Sequence, residues 1–260
     1  MIYFSMGYWV IALALIVSFA GAACGLACIR QSTKSVTQRF RLVWQFVAAV
    51  SIGGVGVAMP IFVSMLGFDV KGSPLRYDNV SITLFSVLAA TTVFLAMLIN
   101  GRRLVWWRLL VAAGVMAFGL GDVHQLLLNA IHIQGTVELS LVSTVAVYVI
   151  AFVLSALTLW FSLWVSSVPL VLAGALVYAI LVTGMHYAGL TGLQVHVEPS
   201  AATPRGAVLF DFFVPFFIIG TLSLAIPITA ILVAPDRRAA RAAGSQAEDT
   251  LGLRRPESVH

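Results

Sequence analysis

The sequence has 260 residues, of which 60% are hydrophobic and only 10% are charged, and its formal net charge is +5. In a soluble globular domain about a quarter of the residues are charged. The composition therefore excludes an ordinary soluble domain and predicts a polytopic helical membrane protein. Because no stretch interleaves aromatic and basic residues, as nucleic-acid surfaces do, we expect the lipid bilayer rather than a nucleic acid as the partner.

Seven apolar stretches, each near the ~20 residues that a bilayer-spanning helix needs, predict an all-α fold with seven transmembrane helices. They cover residues 8–29, 42–66, 80–99, 106–131, 139–164, 168–190 and 209–234. The first stretch has no basic residues before it, so we interpret it as a retained helix rather than a secretory signal. The predicted membrane domain covers residues 1–234. Residues 235–260, rich in Ala and Arg, form a predicted flexible cytoplasmic tail.

The distribution of charge predicts the topology. Twelve of the fifteen basic residues lie in the first connector, the third connector and the tail, and the other three are Lys71, Arg76 and Arg205. Since cytoplasmic segments carry the excess of Lys and Arg, the N-terminus should lie outside and the tail in the cytoplasm. This pattern is typical of a multi-pass protein of the inner (plasma) membrane.

Features within the helices indicate how they pack. Pro60 falls inside the second apolar stretch, where it removes a backbone hydrogen bond and should kink the helix. Small residues such as Gly21 and Gly56 should let helices approach closely in lipid. Cys24 and Cys28 share one helix face, either as a metal-binding thiol pair or as small packing residues, and we favour packing.

A short motif recurs along the chain. Residues 184–190 read Gly-Met-His-Tyr-Ala-Gly-Leu, and degenerate copies occur at residues 60–65 and 123–128. Ile61 and His124 are 63 residues apart, and His124 and His186 are 62 apart. A near-constant period in a membrane chain predicts three repeated helix pairs, followed here by a final helix. The predicted topology brings all three copies to the outer membrane face.

The segment at 184–190 resembles the motif of the MHYT-domain family of bacterial integral membrane sensors. That family is described as three helix pairs plus a seventh helix, each pair carrying a Met-His-Tyr/Phe-x-Gly-Met motif near the outer face. The resemblance covers roughly residues 8–234. It implies sensing of oxygen, carbon monoxide or nitric oxide through bound copper, often relayed to cyclic-di-nucleotide signalling domains. This chain departs from the pattern at Ile61, which replaces a histidine, and at Leu190, which replaces the closing methionine.

The motif has a chemical logic that favours copper. A histidine and a methionine four residues apart share a helix face, and imidazole with thioether suits copper, especially Cu(I). No copy here keeps both ligands. We therefore predict a composite site of His124, His186 and Met65, with Met185 or Met59 as a fourth ligand. The alternative is that the histidines serve as hydrogen-bonding residues and the methionines as core filler.

Three further residues are candidates for supporting this site. Asp122 is an acid within a membrane helix, which marks it as functional by default. It orients a ligand or lies shallow and hydrated, but two residues along a helix place it about 200° from His124, on another face. Tyr187 is expected to be an interfacial anchor whose hydroxyl reaches water. His132 lies in an outer connector, as an added ligand or a solvated side chain.

The sequence contains no phosphate-binding glycine loop, no paired Cys-x-x-Cys and no His-Glu-x-x-His, so we expect no enzymatic activity. The first hypothesis is a copper-dependent sensory or metal-binding module that signals to a separate membrane or cytoplasmic protein. The second is a non-sensing accessory or scaffold subunit of a membrane complex, such as a respiratory complex. A transporter is the least favoured, because its repeats are commonly inverted and these would be parallel.

Overall fold

The computed structural model describes residues 4–233, so the predicted tail at residues 235–260 lies outside the described residues. The predicted all-α polytopic fold is confirmed, since seven helical segments are long and apolar enough to cross a membrane. The helices are α1 Trp9–Lys34, α2 Gln38–Ala49, a π-helix Val50–Ala58, α3 Met59–Met65, α4 Asn79–Asn100, α5 Trp106–Asn129, α6 Leu141–Ser162, α7 Val168–Leu190 and α8 Leu209–Val233. The α2, π and α3 segments are continuous and make up the second span.

Six of the seven spans close into a ring. Each predicted helix pair packs together: α1 with the second span, α4 with α5, and α6 with α7. Neighbouring pairs also pack, through the π-helix with α4, α5 with α6, and α7 with α1. Because each repeat contacts the next and the last returns to the first, equivalent positions of the three repeats face a shared interior.

The last helix, α8, lies outside this ring against α1, the π-helix and α3. Aromatic side chains make much of the contact: Phe62 lies with its ring centroid 6.3 Å from Phe212 and 5.4 Å from Phe216. Only 11% of the most apolar 18-residue stretch of α8 is buried, so most of the surface of α8 remains free to face lipid.

The second span contains the π-helix at the point where the sequence predicts a kink. Residue 60 of an ordinary α-helix would donate its N–H to the carbonyl of residue 56, but Pro60 has no N–H. The freed carbonyl of Gly56 accepts a hydrogen bond from the Ser18 hydroxyl at 2.8 Å. Within the widened turn the Met59 N–H bonds to the carbonyl of Gly54, five residues back. The π-helix thus ends two residues before the proline, and α1 supplies a donor to the Gly56 carbonyl.

The fit between α1 and the π-helix depends on small residues. A Cβ on Gly21 would overlap the backbone of Gly56, so the two segments touch main chain to main chain. On the other side, the buried Tyr178 of α7 donates its hydroxyl to the carbonyl of Ile52 at 3.0 Å. Side chains of α1 and α7, Ser18 and Tyr178, therefore both donate hydrogen bonds to its carbonyls.

The connectors expected to be loops contain short strands, all at one end of the bundle, which we call the strand-bearing end. Strand β1 Arg76–Tyr77 pairs antiparallel with β2 Ile131–His132. Strand β3 Gly135–Leu139 pairs antiparallel with β4 Leu193–Val197. The β3–β4 pair joins the connector after α5 to the connector after α7, so it ties together the ends of the two helices that carry the histidines.

Candidate metal centre

The two motif histidines meet inside the ring. His124 lies on α5, five residues before its end, and His186 lies on α7, four residues before its end. Their ring centroids are 5.4 Å apart and their planes are inclined at 66°. Both side chains are buried, with 0% and 1% of their surfaces exposed. The structure therefore brings together the two imidazoles that the repeat spacing predicts to converge.

A glycine of the motif makes this approach possible. A Cβ at Gly189 would occupy the space taken by Cε1 and Nε2 of His124. Gly189 lies three residues after His186 on the same helix, and the His124 ring packs directly against its backbone. By contrast, a Cβ at Gly184 of the same motif would meet nothing within 4 Å. The two glycines thus have different roles, and only Gly189 shapes the site.

The polar atoms of the two rings are mostly without partners. Nε2 of His124 lies 3.4 Å from the carbonyl oxygen of His186, to which it donates when it carries the ring proton. Nδ1 of His124 and both ring nitrogens of His186 have no hydrogen-bond partner among the described residues. A buried polar atom without a partner costs about 1–3 kcal/mol. The pair is therefore an incomplete polar cluster that a bound ligand would complete.

This arrangement suits a metal ion. The bond from Nε2 of His124 to the carbonyl of His186 selects the tautomer whose Nδ1 presents a lone pair. A backbone carbonyl that holds the second ring nitrogen is the usual outer partner of a metal-bound imidazole. His186, with both nitrogens free, can present either one. Two buried imidazoles are thus available as ligands in an apolar setting.

The predicted methionine ligands occupy different settings. Met65 and Met185 are buried, at 1% and 0% exposure, in the hydrophobic core of the ring. The sulphur of Met59 lies against α8, where a Cβ on Gly220 would overlap it, so Met59 helps to seat the last helix. Within residues 4–233 no three His, Cys, Asp or Glu side chains come together as a metal site. A third ligand for the histidine pair would therefore not be a His, Cys, Asp or Glu side chain of these residues.

The side chains of the first motif copy pack in the hydrophobic core. Ile61, where the motif calls for histidine, is fully buried in the same core as Met65. The neighbouring Phe62 packs under α8 through its aromatic contacts. Of the three residues at the histidine position of the motif copies, two are thus imidazoles and one is a branched alkyl side chain.

Asp122 faces away from the histidine pair, as its position on the helix predicts. Its side chain is exposed, whereas His124 two residues later is fully buried. The Tyr148 hydroxyl of α6 donates a hydrogen bond to Oδ1 of Asp122 at 2.5 Å. The carboxylate is therefore held by α6 and does not orient the His124 ring.

The expectation that the Tyr187 hydroxyl reaches water is wrong. That oxygen is buried, although the side chain as a whole is half-buried. The N-terminal segment folds back over it: the N–H and the hydroxyl of Ser5 both donate to the carbonyl of Gly67, each at 2.9 Å. This places the Phe4 ring with its centroid 5.6 Å from that of Tyr187. Tyr187 therefore helps to cover the strand-bearing end.

His132 lies in the strand layer and is exposed. Its Nδ1 lies 3.5 Å from the carbonyl oxygen of Arg205, so it contacts the loop before α8 and not the buried pair. It lines an open cavity of about 720 Å³ together with Tyr77 and Asp78. A hydrogen bond from the Ser81 N–H lowers the pKa of Asp78, and burial raises the pKa of Tyr77.

Sequence reasoning missed three residues that the structure places around the site or its supports. They are Phe4, Tyr148 and Tyr178. Each acts on a helix distant in sequence, and nothing in its local sequence marks it. Only an expected pairing between the repeats could have pointed to them.

Comparison of the chain with family models, with curated proteins and with solved structures finds no match.

Proposed function

We propose that this chain is a membrane-embedded sensory module that binds a copper ion between His124 and His186. It would report the ligation or redox state of that ion, including binding of a diatomic gas, to a separate partner protein. The strand-bearing end would face the exterior of an inner membrane and the tail the cytoplasm, as the charge distribution predicts. The observation that carries the proposal is the pair of buried imidazoles with three ring nitrogens unpartnered.

Copper fits these residues better than Mg²⁺ or Ca²⁺ does. Imidazole nitrogen with thioether sulphur is a soft donor set, which suits Cu(I), whereas Mg²⁺ and Ca²⁺ prefer oxygen. A bound copper ion would supply reversible one-electron redox change and affinity for small diatomic ligands. The protein would hold His124 and His186 in place, offer Met65 or Met185 as the sulphur ligand, and keep water out.

The test is the copper content of the purified protein after loading with Cu(I) under anaerobic conditions. We expect about one copper ion per wild-type chain, because two imidazoles and a thioether make one soft site. His124→Leu and His186→Leu should each lose most of the copper, since each removes one ligand but keeps an apolar side chain in the core. His196→Ala is the matched control, because His196 is exposed on β4.

Absence of copper from the loaded wild type would contradict the proposal. An equal copper content in the wild type and both leucine variants would also contradict it. Loss of copper in His196→Ala alone would place the ion on the strand layer instead.

A non-sensing accessory or scaffold subunit of a membrane complex is the second candidate. The complete burial of Ile61 favours this candidate, because one of the three repeats carries an apolar packing residue where the motif has a metal-binding histidine. This candidate predicts that a copper-free wild type still co-migrates with a larger membrane complex in mild detergent. A copper-loaded protein that runs alone would argue against it.

A further inference from the structure

Asp122 is an acid on the outside of the ring within a membrane-spanning helix. It lies seven residues before the end of α5, which at about 1.5 Å per residue is roughly 10 Å below the helix end. A helix of this length exceeds the ~30 Å hydrocarbon core only slightly, so in a bilayer this depth would place the carboxyl group inside that core. Acidic side chains in membrane helices almost always face the bundle interior or water. This one is exposed.

The carboxyl group of Asp122 is held in place by a hydrogen bond to only one of its two oxygens. Its Oδ1 accepts the hydrogen bond from the Tyr148 hydroxyl at 2.5 Å. The Tyr148 ring fits against Gly121, where a Cβ would overlap it, and lies 5.9 Å from the Phe118 ring. Oδ2 has no hydrogen-bond partner anywhere in residues 4–233. A fixed acidic acceptor is thus presented outward with one oxygen free.

Exposed apolar side chains surround this acceptor. We call the Asp122 face the surface made by Asp122 and Phe118 of α5 with Tyr148, Val145 and Phe152 of α6. Phe118 is 67% exposed and Val145 is 53% exposed. This is an apolar helix–helix surface with one charge at its centre, which in lipid would be unfavourable unless a donor met the charge.

We propose that the Asp122 face docks a transmembrane helix of a different membrane protein, and that this helix carries a Lys or Arg side chain at the depth of Asp122. Charge complementarity identifies the partner as cationic. It also excludes a second copy of this chain, because the described basic residues lie at the opposite helix ends or in the connectors. The inference rests on the relay to a separate partner in the proposed function, but not on the metal.

The probe is a synthetic leucine-rich transmembrane peptide with one Lys placed about 10 Å below its outer end, which matches the depth of Asp122. Energy transfer from this peptide to the labelled full-length protein in phospholipid vesicles reports docking. The matched peptide carries Met in place of Lys. We expect the Lys peptide to bind wild type on the order of tenfold more tightly than the Met peptide does, because an ion pair in lipid replaces two unpaired charges.

Asp122→Asn should abolish this preference, since the amide keeps an oxygen to accept from Tyr148 but removes the charge. Asp122→Lys should reverse it and favour a peptide with Glu at the same depth. Asp211→Asn is the matched control, because Asp211 is an exposed acid in the first turn of α8, away from the Asp122 face.

Three results would overturn the inference: no preference for the Lys peptide in wild type, the same preference in Asp122→Asn, or self-association of the chain that Asp122→Asn abolishes. The assay contains no copper, so its failure leaves the metal centre untouched. Loss of the metal centre likewise leaves the docking result intact.

Discussion

Among single residues, the central feature is the pair of imidazoles buried in the apolar core. Their one hydrogen bond is long and joins Nε2 of His124 to the backbone carbonyl of His186. Nδ1 of His124 and both nitrogens of His186 are buried and have no partner within residues 4–233. Residues in such a position weaken the fold unless something binds them, because each orphaned polar atom costs about 1–3 kcal/mol. The proposed copper ion would supply the partner that these ring nitrogens lack.

Gly189 tests whether the site depends on this geometry. In Gly189→Ala the new Cβ would displace the His124 ring, because it would occupy the space of Cε1 and Nε2. We expect copper affinity to fall about 10–100-fold, the range seen when the positioning of a metal ligand is disturbed. Copper competition with a chromophoric chelator measures the change.

The control for this prediction is Gly184→Ala on the same helix, where a Cβ would meet nothing within 4 Å. It adds the same methyl group and should leave copper affinity unchanged. An equal loss in both alanine variants would show that α7 as a whole, and not the His124 ring, responds to the substitution.

At this scale the sequence predicts the histidines well and their neighbours poorly. His124 and His186 follow from the motif spacing, and the separate face of Asp122 follows from helical geometry. Its bond to Tyr148 could not be predicted, because it depends on how α6 is rotated against α5. The buried Tyr187 hydroxyl depends in the same way on the fold of the N-terminal segment.

The π-helix Val50–Ala58 is the most unusual secondary-structure element. π-Helices are rare and are found mostly as single turns within α-helices, often near functional sites. Here the lack of an N–H at Pro60 leaves the Gly56 carbonyl free, and Ser18 on α1 replaces the missing donor. The element is thus maintained by its neighbours as much as by its own hydrogen bonds.

A double-mutant cycle between Ser18 and Pro60 tests this account. Ser18→Ala alone should destabilise the protein by about 1–3 kcal/mol, because it leaves a buried carbonyl without its donor. In the Pro60→Ala background the same change should cost less, since residue 60 then supplies an N–H to Gly56. The free energies of unfolding in mixed detergent micelles give the coupling. Strict additivity of the two substitutions would contradict the account.

The sequence predicts that Pro60 disturbs its helix, but not the form of the disturbance. A proline removes one bond whatever surrounds it. Whether the helix kinks or widens depends on the donors nearby, and the donor Ser18 lies 38 residues before its acceptor Gly56 in the sequence. Strands β3 and β4 were missed because five-residue runs such as Gly135–Leu139 are brief and stabilise each other only after the helices bring them together.

At the scale of the whole molecule, hydropathy was sufficient to predict the fold. Seven apolar stretches give seven spans, because a bilayer requires about 20 apolar residues for each crossing. The period between motif copies predicts the three helix pairs, and the structure closes them into a ring. The position of α8 outside the ring is not encoded in hydropathy, since α8 is as apolar as α1.

The ring gives the proposed function its physical basis. His124 and His186, from two of the three repeats, meet in the interior of the ring. A metal bound there would link α5 to α7, two helices that are otherwise separated by α6 in the ring. A change in its ligation would therefore act on the spacing of the two helices and reach the Asp122 face, which α5 shares with α6.

X-ray absorption at the copper edge of the Cu(I)-loaded protein tests the central claim most directly. A copper ion bound between His124 and His186 should give nitrogen scatterers with the outer-shell pattern of two imidazoles, together with one sulphur scatterer from a methionine. His186→Leu should reduce the imidazole pattern to that of a single ring. A spectrum without imidazole scattering, or one unchanged in His186→Leu, would contradict a copper site between His124 and His186.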